Sequence, residues 1–454
     1  MTLTNAPLTD ALSSMPEVDF CAGSLRGAPV IRVSDAVRYQ RVQGFGAAMT
    51  DSSAWLLMTK LGPSTRATVF QSLFGSGGLR LNFLRVPMGA SDFSAGGVPY
   101  TYDDVPAGKT DPTLANFSIA HDLAYIIPAL RQARALSRGL RLLANPWSPP
   151  AWMKANGRLD NVEGSGQILA SAYPALARYF VRFLKSYAAH GVAVNAVTAQ
   201  NEPGVSTQYP GAVLGATAES AFISGYLAPA LRAARLPVGI YGDDLSWDRG
   251  SYATALASGE AAGALAGIAW HCYRGSPDEM TSFHHLYPTM NQMVTECSPE
   301  ILGFSTIELL ISSLRNDATT VSVWNIALNA DGGPVQPPDH GCPGCKGIVT
   351  VTESNHTVRY NGKYYELGQV SKFVRPGAVR IASTSSVTYG TDRPGGLFRP
   401  SPGVDNVAVV NPDGSKVLVA TNTSQTSRRF VVSWHGGAFR YSLPSRASVT
   451  FTWR

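Results

Sequence analysis

Charged residues are scarce in this chain: they make up 15% of its 454 residues, against 44% hydrophobic ones. That balance excludes a disordered chain, which cannot bury enough apolar surface to offset its ordering entropy. Also missing is any run of the roughly 18 to 20 apolar residues that a bilayer span requires, so no integral membrane segment is expected. The opening stretch MTLTNAPLTDALSSMPEVDF lacks the basic and apolar regions of a signal peptide. An exported protein whose signal has been removed is expected, with a cytoplasmic home as the alternative. Lys and Arg (37) exceed Asp and Glu (31), giving a net charge of +6, but no basic run gathers them. A nucleic-acid partner is therefore not expected, and the excess reads as a mildly basic surface suited to acidic substrates or anionic lipid. Cysteines number only five, so at least one is free or paired between chains. Cys342-Pro-Gly-Cys345 has half-zinc or redox spacing, yet no second CxxC or HxxxH completes a ligand set. A local disulfide or two free thiols is expected there, while Cys272 and Cys297 read as buried structural thiols. HExxH, GxSxG and GxxxxGK are absent as well, and neither a metal nor an organic cofactor is expected.

What is present is a regular alternation. From residue 40 to about 375, short apolar runs rich in β-branched residues alternate with amphipathic stretches, the pattern of βα units around a parallel sheet. Strands are predicted at 42–48, 81–88, 140–146, 194–201, 237–243, 267–273, 292–297 and 321–328, and eight is the number that closes a barrel. Helices are predicted over 171–191 and 218–236. In the first, Leu176, Tyr179, Phe180, Phe183 and Leu184 share one face, and Gly191 stands at a stop position. Beyond the barrel the pattern changes to short alternating strands with polar turns, such as VAVVNPDGSKVLVATNTS, and residues 28–42 share that character. The expected fold is an α/β protein: a (β/α)8 TIM barrel over 40–378 with a β-sandwich side domain built from both chain ends, 1–39 and 379–454. Segment 329–363 is too long and too rich in glycine and proline for a plain connection, and is expected to be a binding loop over the site or a small hairpin excursion.

In such a barrel the C-terminal strand ends surround one cavity. Here they carry Arg85, then Asp92, Trp147, Asn201 with Glu202, Asp243 with Asp244, His271 with Tyr273, Glu296, and Trp324 with Asn325. Carboxylates, amides and aromatics in one cavity are what a sugar site needs. Cleaving a glycosidic bond requires one carboxylic acid to protonate the departing oxygen and one carboxylate opposite, and two glutamates on different strands supply both.

The motifs QGFGAAMTD (43–51), RVPMGASDFS (85–94), NPWSPPAWMKANG (145–157), TAQNEP (198–203), HCY (271–273), TECSPE (295–300), VWNIALNADGGP (323–334) and YYELGQVSKFVRPGA (364–378) follow in order along the chain. With them the chain resembles family 30 of the glycoside hydrolases, the group that includes acid β-glucosidase (glucosylceramidase). The resemblance implies a retaining β-glycosidase with Glu202 as acid/base and Glu296 as nucleophile. It also implies that Asn201 binds the sugar 2-hydroxyl, that Asp92, Trp147 and Trp324 bind the terminal sugar, and that Arg85, His271 and Tyr273 surround the nucleophile. A β-glucoside or β-glucan is the implied partner, with an endo-β-1,6-glucanase as the alternative to a glucosylceramidase-like enzyme and a non-catalytic glycan-binding protein as the rival class. No feature fixes an oligomeric state. The chain departs from glucosylceramidases at Cys297-Ser298, where they have a small residue and then cysteine, and 335–361 has no counterpart.

Overall fold

The computed structural model describes residues 1–23, 27–336, 341–393 and 395–454. Eight parallel strands close into a barrel: β1 Gly44–Ala48, β2 Phe83–Pro87, β3 Arg141–Asn145, β4 Ala196–Thr198, β5 Gly239–Ser246, β6 Leu265–His271, β7 Asn291–Glu296 and β8 Thr320–Val323. β8 pairs with β1 and β6 with β5, which completes the ring. Closure demands a thin first strand. A Cβ on Gly46 would lie 1.7 Å from the Phe83 carbonyl oxygen, so the QGFG stretch lets β1 approach β2.

Side chains alternate in and out along each strand, and this sets two layers inside the barrel. The lower layer is an apolar plug of Phe83, Leu143, Ala196, Tyr241, Ala269 and Met293, one from each of β2 to β7. Two residues further along, the same inward direction belongs to Arg85, Asn145, Thr198, His271 and Thr295, all buried. On β5 the step is different. Asp243 and Asp244 both have positive φ (79° and 57°), and the pairing with β6 skips from Asp243 to Leu245, so a bulge displaces the inward position.

The helix over Tyr173–Ala189 buries Leu176, Tyr179, Phe180, Phe183 and Leu184, the predicted face, and the chain turns at Gly191 (φ +79°). Each such fully buried side chain contributes about 1.5–3 kcal/mol. The helix expected over 218–236 is interrupted: Ala216–Phe222 and Ala228–Ala233 are α-helical, with a π turn at Ile223–Leu227 between them. Pro229 has no N–H for the carbonyl four residues back, and the helix widens just ahead of it.

The strand expected over 321–328 is also broken. After Val323 the chain turns at Asn325 (φ +63°), and Ala327–Asn329 leaves the barrel to pair with Val349–Thr352, which forms a hairpin with Thr357–Tyr360. The long 329–363 segment is thus a hairpin excursion that also reaches over the barrel mouth. Gln336 donates from its backbone N to the Asp92 carbonyl (3.0 Å) and from Nε2 to the Ser91 carbonyl (2.9 Å). Residues 337–340 of this segment lie outside the described residues.

Cys272 and Cys297 are not thiols but a disulfide, as are Cys342 and Cys345, leaving Cys21 free and exposed. The reason is strand order: β6 and β7 are neighbours with His271 opposite Glu296, so the next residues face each other with Cα atoms 5.3 Å apart.

Both chain ends build the side module. Strand Val30–Arg41 serves two sheets, pairing at its start with Arg428–Trp434 and further on with Val379–Ser383. Leu3 lies opposite Val449, and the interior packs Ile31, Val33, Leu418, Phe430, Val432 and Phe451. Gln369, on the barrel helix Gly362–Ser371, donates to Thr4 and accepts from Thr450, joining module to barrel. No helix among the described residues is long and apolar enough to cross a membrane.

Candidate active site

The upper inward layer is organised by Asp244. It is fully buried and accepts hydrogen bonds from Arg85 (2.9 Å), Asn145 (2.9 Å), Thr198 (2.8 Å), His271 (3.1 Å) and Thr295 (2.7 Å), every other member of that layer. Burial alone would push its carboxyl up, but Arg85, His271 and the Thr295 hydroxyl outweigh burial and hold it below the ordinary aspartate range. Asp243, beside it, is buried with neither carboxyl oxygen partnered among the described residues; burial and the neighbouring Glu219 drive its carboxyl well above the usual range.

Above Asp244 stand the two glutamates. Glu296 ends β7 and receives the Arg85 Nη1 donor and the Tyr273 hydroxyl (2.6 Å). Its carboxyl is raised by burial, with His271 and Arg85 pulling the other way. Glu202 follows β4 in a backbone conformation with φ +42°, unusual for a glutamate, and is pinned there by its N–H on the Asp244 carbonyl (3.2 Å). Asn201 is held by Arg85 Nη2 on its Oδ1 (2.7 Å) and by its own N–H on the Pro146 carbonyl (2.8 Å). One atom each from Glu202, His271 and Glu296 lies within 4.8 Å of the others.

That trio has the donor types of a metal site, but its charge state does not suit one. Burial would lower His271, yet Glu296 and Asp244 raise its pKa to about 10, so it is protonated and donates to Glu202 (3.2 Å) and Asp244. Both of its ring nitrogens are occupied, and the Arg85 guanidinium already neutralises Glu296. The arrangement suits proton transfer and nucleophilic attack instead.

Trp147 and Trp324 stack with centroids 5.2 Å apart, and the Arg85 guanidinium lies 4.6 Å from the Trp147 ring. Phe93, Val335 and the Cys342–Cys345 disulfide pack around them, so the 329–363 excursion forms part of this wall. Asp92 is buried, and its Oδ1 has no protein partner among the described residues. Burial, then Glu296 and Glu202, raise its carboxyl, which places it at the same pocket. The Oδ1 of Asn325 accepts from Thr50 (2.7 Å) just before helix Asp51–Thr59, and its Nδ2 is buried without a partner among the described residues.

The sequence does not single out Asn145, Thr198, Thr295 or Tyr209, and it names Asp244 only as one of a pair of strand-end aspartates, with no role. Tyr209 packs against the cluster of Phe93, Trp147 and Trp324, and its hydroxyl is pushed up by burial and by Glu202, Asp92 and Glu296. A signal for the first group existed: each of Asn145, Thr198 and Thr295 lies two residues after a plug residue.

Comparison with known proteins agrees with this geometry. Residues 42–374 match the glycosyl hydrolase family 30 TIM-barrel domain, and 377–451 match that family's beta sandwich domain. An endo-1,6-β-D-glucanase of Trichoderma harzianum is 33% identical over 85% of this chain and 78% of its own. The lysosomal acid glucosylceramidase of Mus musculus is 34% identical over 92% of this chain and 82% of its own. A solved endo-β1,6-glucanase superposes with a TM-score of 0.84 at 27% identity, covering 100% of this chain and 98% of that one. A closed barrel with one glutamate just after β4 and another ending β7, a side module from both chain ends and a match over nearly the whole length lead to one conclusion: this chain belongs to glycosyl hydrolase family 30 and is a retaining glycoside hydrolase.

Proposed function

We propose that the enzyme is an endo-acting β-1,6-glucanase. The supporting observation is its kinship, along both modules, with endo-1,6-glucanases from two sources, one of them the solved structure just described. We further take residues 40–378 as the catalytic unit and 1–39 with 379–454 as its partner module.

In this reading Glu202 donates its proton to the glycosidic oxygen while a Glu296 oxygen attacks the anomeric carbon, breaking the C–O bond and forming a glycosyl ester. Glu202, now a carboxylate, takes a proton from water, whose oxygen displaces Glu296 and restores the starting configuration. An oxygen–oxygen distance within 4.8 Å fits direct attack, since inversion needs about 6.5–9.5 Å to admit water. Arg85 and the Tyr273 hydroxyl counter the upward push of burial on the Glu296 carboxyl and aim it. With Asn201 Oδ1 held by Arg85, its amide N–H faces the sugar 2-hydroxyl. The unpartnered Asp92 oxygen accepts from a sugar hydroxyl, and the tryptophan pair carries the ring's apolar face.

The glucosylceramidase reading stays second, favoured by the identity with the mouse enzyme. Incubation with pustulan, p-nitrophenyl β-glucoside and glucosylceramide separates them. A ladder of β-1,6-linked oligosaccharides, released first as β-anomers, is expected from pustulan. Release of glucose alone, with faster turnover of glucosylceramide, would overturn the proposal.

A further inference from the structure

The basic residues are spread along the sequence but not through space. Residues 1–41 and 379–454, which carry every strand of the side module through the end of Val30–Arg41, hold thirteen Lys and Arg against seven Asp and Glu, while residues 42–378 hold twenty-four of each. The net charge of +6 therefore belongs to the side module, and twelve of its thirteen cations are arginines.

Six of them gather at two adjoining clefts. One, of about 220 Å³, lies where the side module meets helix Thr306–Arg315 and is lined by Arg393, Arg399 and Arg446. The other, of about 410 Å³, meets it at Pro402 and is lined by Arg32, Arg428 and Arg429. Glu308 is the only acidic lining residue in either, and it is already engaged: Oε2 accepts from the Ser305 N–H (2.7 Å) and Oε1 from Arg446 (3.4 Å). Two of the other arginines are aimed by neutral partners, Arg393 by the Leu302 carbonyl (2.5 Å) and Arg428 by Ser424 Oγ (3.0 Å). These contacts orient the guanidinium groups without neutralising them.

With Arg446 paired to Glu308, five arginines with no acidic lining partner remain around the connected clefts; they repel one another, and an anion relieves that repulsion. The planar guanidinium fork matches carboxylate and sulfate oxygens two at a time. Thr423, Ser424 and Gln425 add neutral hydrogen-bonding groups. None of the exposed large apolar side chains lines either cleft, so nothing there would enter a lipid bilayer. Adjoining concave sites with repeated arginines fit a flexible chain with repeated acid groups.

We propose that these clefts bind an anionic polysaccharide, one bearing uronate carboxylates or sulfate esters. The side module then tethers the enzyme to a charged glycan while the barrel acts on its own substrate. This assignment does not depend on which bond the barrel cleaves.

The test is affinity electrophoresis of the full-length protein in gels containing polygalacturonate, dextran sulfate or neutral dextran, with sedimentation on phosphatidylglycerol vesicles alongside. Retardation is expected with a charged glycan, weakening as salt rises, and none with neutral dextran. Retardation by only one of the two charged polymers identifies the acid group. R399A/R428A/R429A should weaken binding roughly tenfold, whereas R131A/R138A/R232A, which removes equal charge from the barrel surface, should leave it unchanged. Melting temperatures, rather than hydrolysis, check that both variants fold. Equal loss in the two variants, absence of retardation, or tighter binding to vesicles than to either glycan would overturn the proposal.

Discussion

Removing Arg85 would take the guanidinium partner from Glu296 and leave Asp244 with His271 alone to balance its charge, both in a buried site. Arg85→Met is therefore expected to lower stability by about 3–5 kcal/mol, read as a fall in the denaturation midpoint. The two glutamates separate by their products. Glu202→Ala should spare activated aryl substrates and, with azide, yield a β-glycosyl azide, because the Glu296 ester still forms. Glu296→Ala should give an α-glycosyl azide by direct attack on the substrate. The reverse outcome would exchange their roles. His271 offers a test by pH. Its folded pKa of about 10 exceeds the unfolded value of 6.5, so its stabilisation is complete below about pH 6.5 and fades as pH rises towards 10. The difference in melting temperature between the wild type and His271→Gln should shrink over that window; a constant gap would mean His271 is neutral. At this scale the sequence was readable where a residue follows a strand directly. The sequence names Asp243 and Asp244 as a pair, but a bulge decides which of the two faces inward, and no local pattern marks the choice.

At the scale of elements, all eight barrel strands lie where the apolar runs are, because each run is buried on both faces and needs no partner to be recognised. Breaks within elements were less visible. The turn at Asn325 depends on a hydrogen bond from Ile326 N to the Ala48 carbonyl on β1, a contact distant in sequence. The same holds for Cys272–Cys297: neighbouring strands make the bond, and the ring order of strands is not local information. This disulfide closes a separation of 25 residues directly behind His271 and Glu296. Cys272→Ser with Cys297→Ser should cost about 3 kcal/mol and lower kcat more than it raises KM, since the catalytic strand ends lose their mutual tether. Unchanged kcat in the double variant would show that the strands need no clasp.

The whole molecule holds several carboxyls that burial pushes upward: Glu219 to about 8, Glu366 to about 7 and Asp122 to about 6. An acid with a raised folded pKa keeps its proton longer when folded, so stability declines as pH climbs from the unfolded value, near 4 to 4.5, through the folded one. Asp244 and Asp111 are depressed and act oppositely, losing their contribution as pH falls. Together with His271 this places the stability maximum at about pH 5. A melting temperature that rises steadily to pH 8 would contradict it. The entwined side module has another consequence, for synthesis. Strand Thr2–Thr4 leaves the ribosome early, but its partner Ser448–Trp453 comes after the entire barrel. At about 5–20 residues per second that is an interval of tens of seconds, during which the apolar side of Val30–Arg41 has no sheet to rest on. The nascent chain must assemble its barrel with this strand still unpaired, an exposed edge for chaperones to cover until the last hairpin arrives.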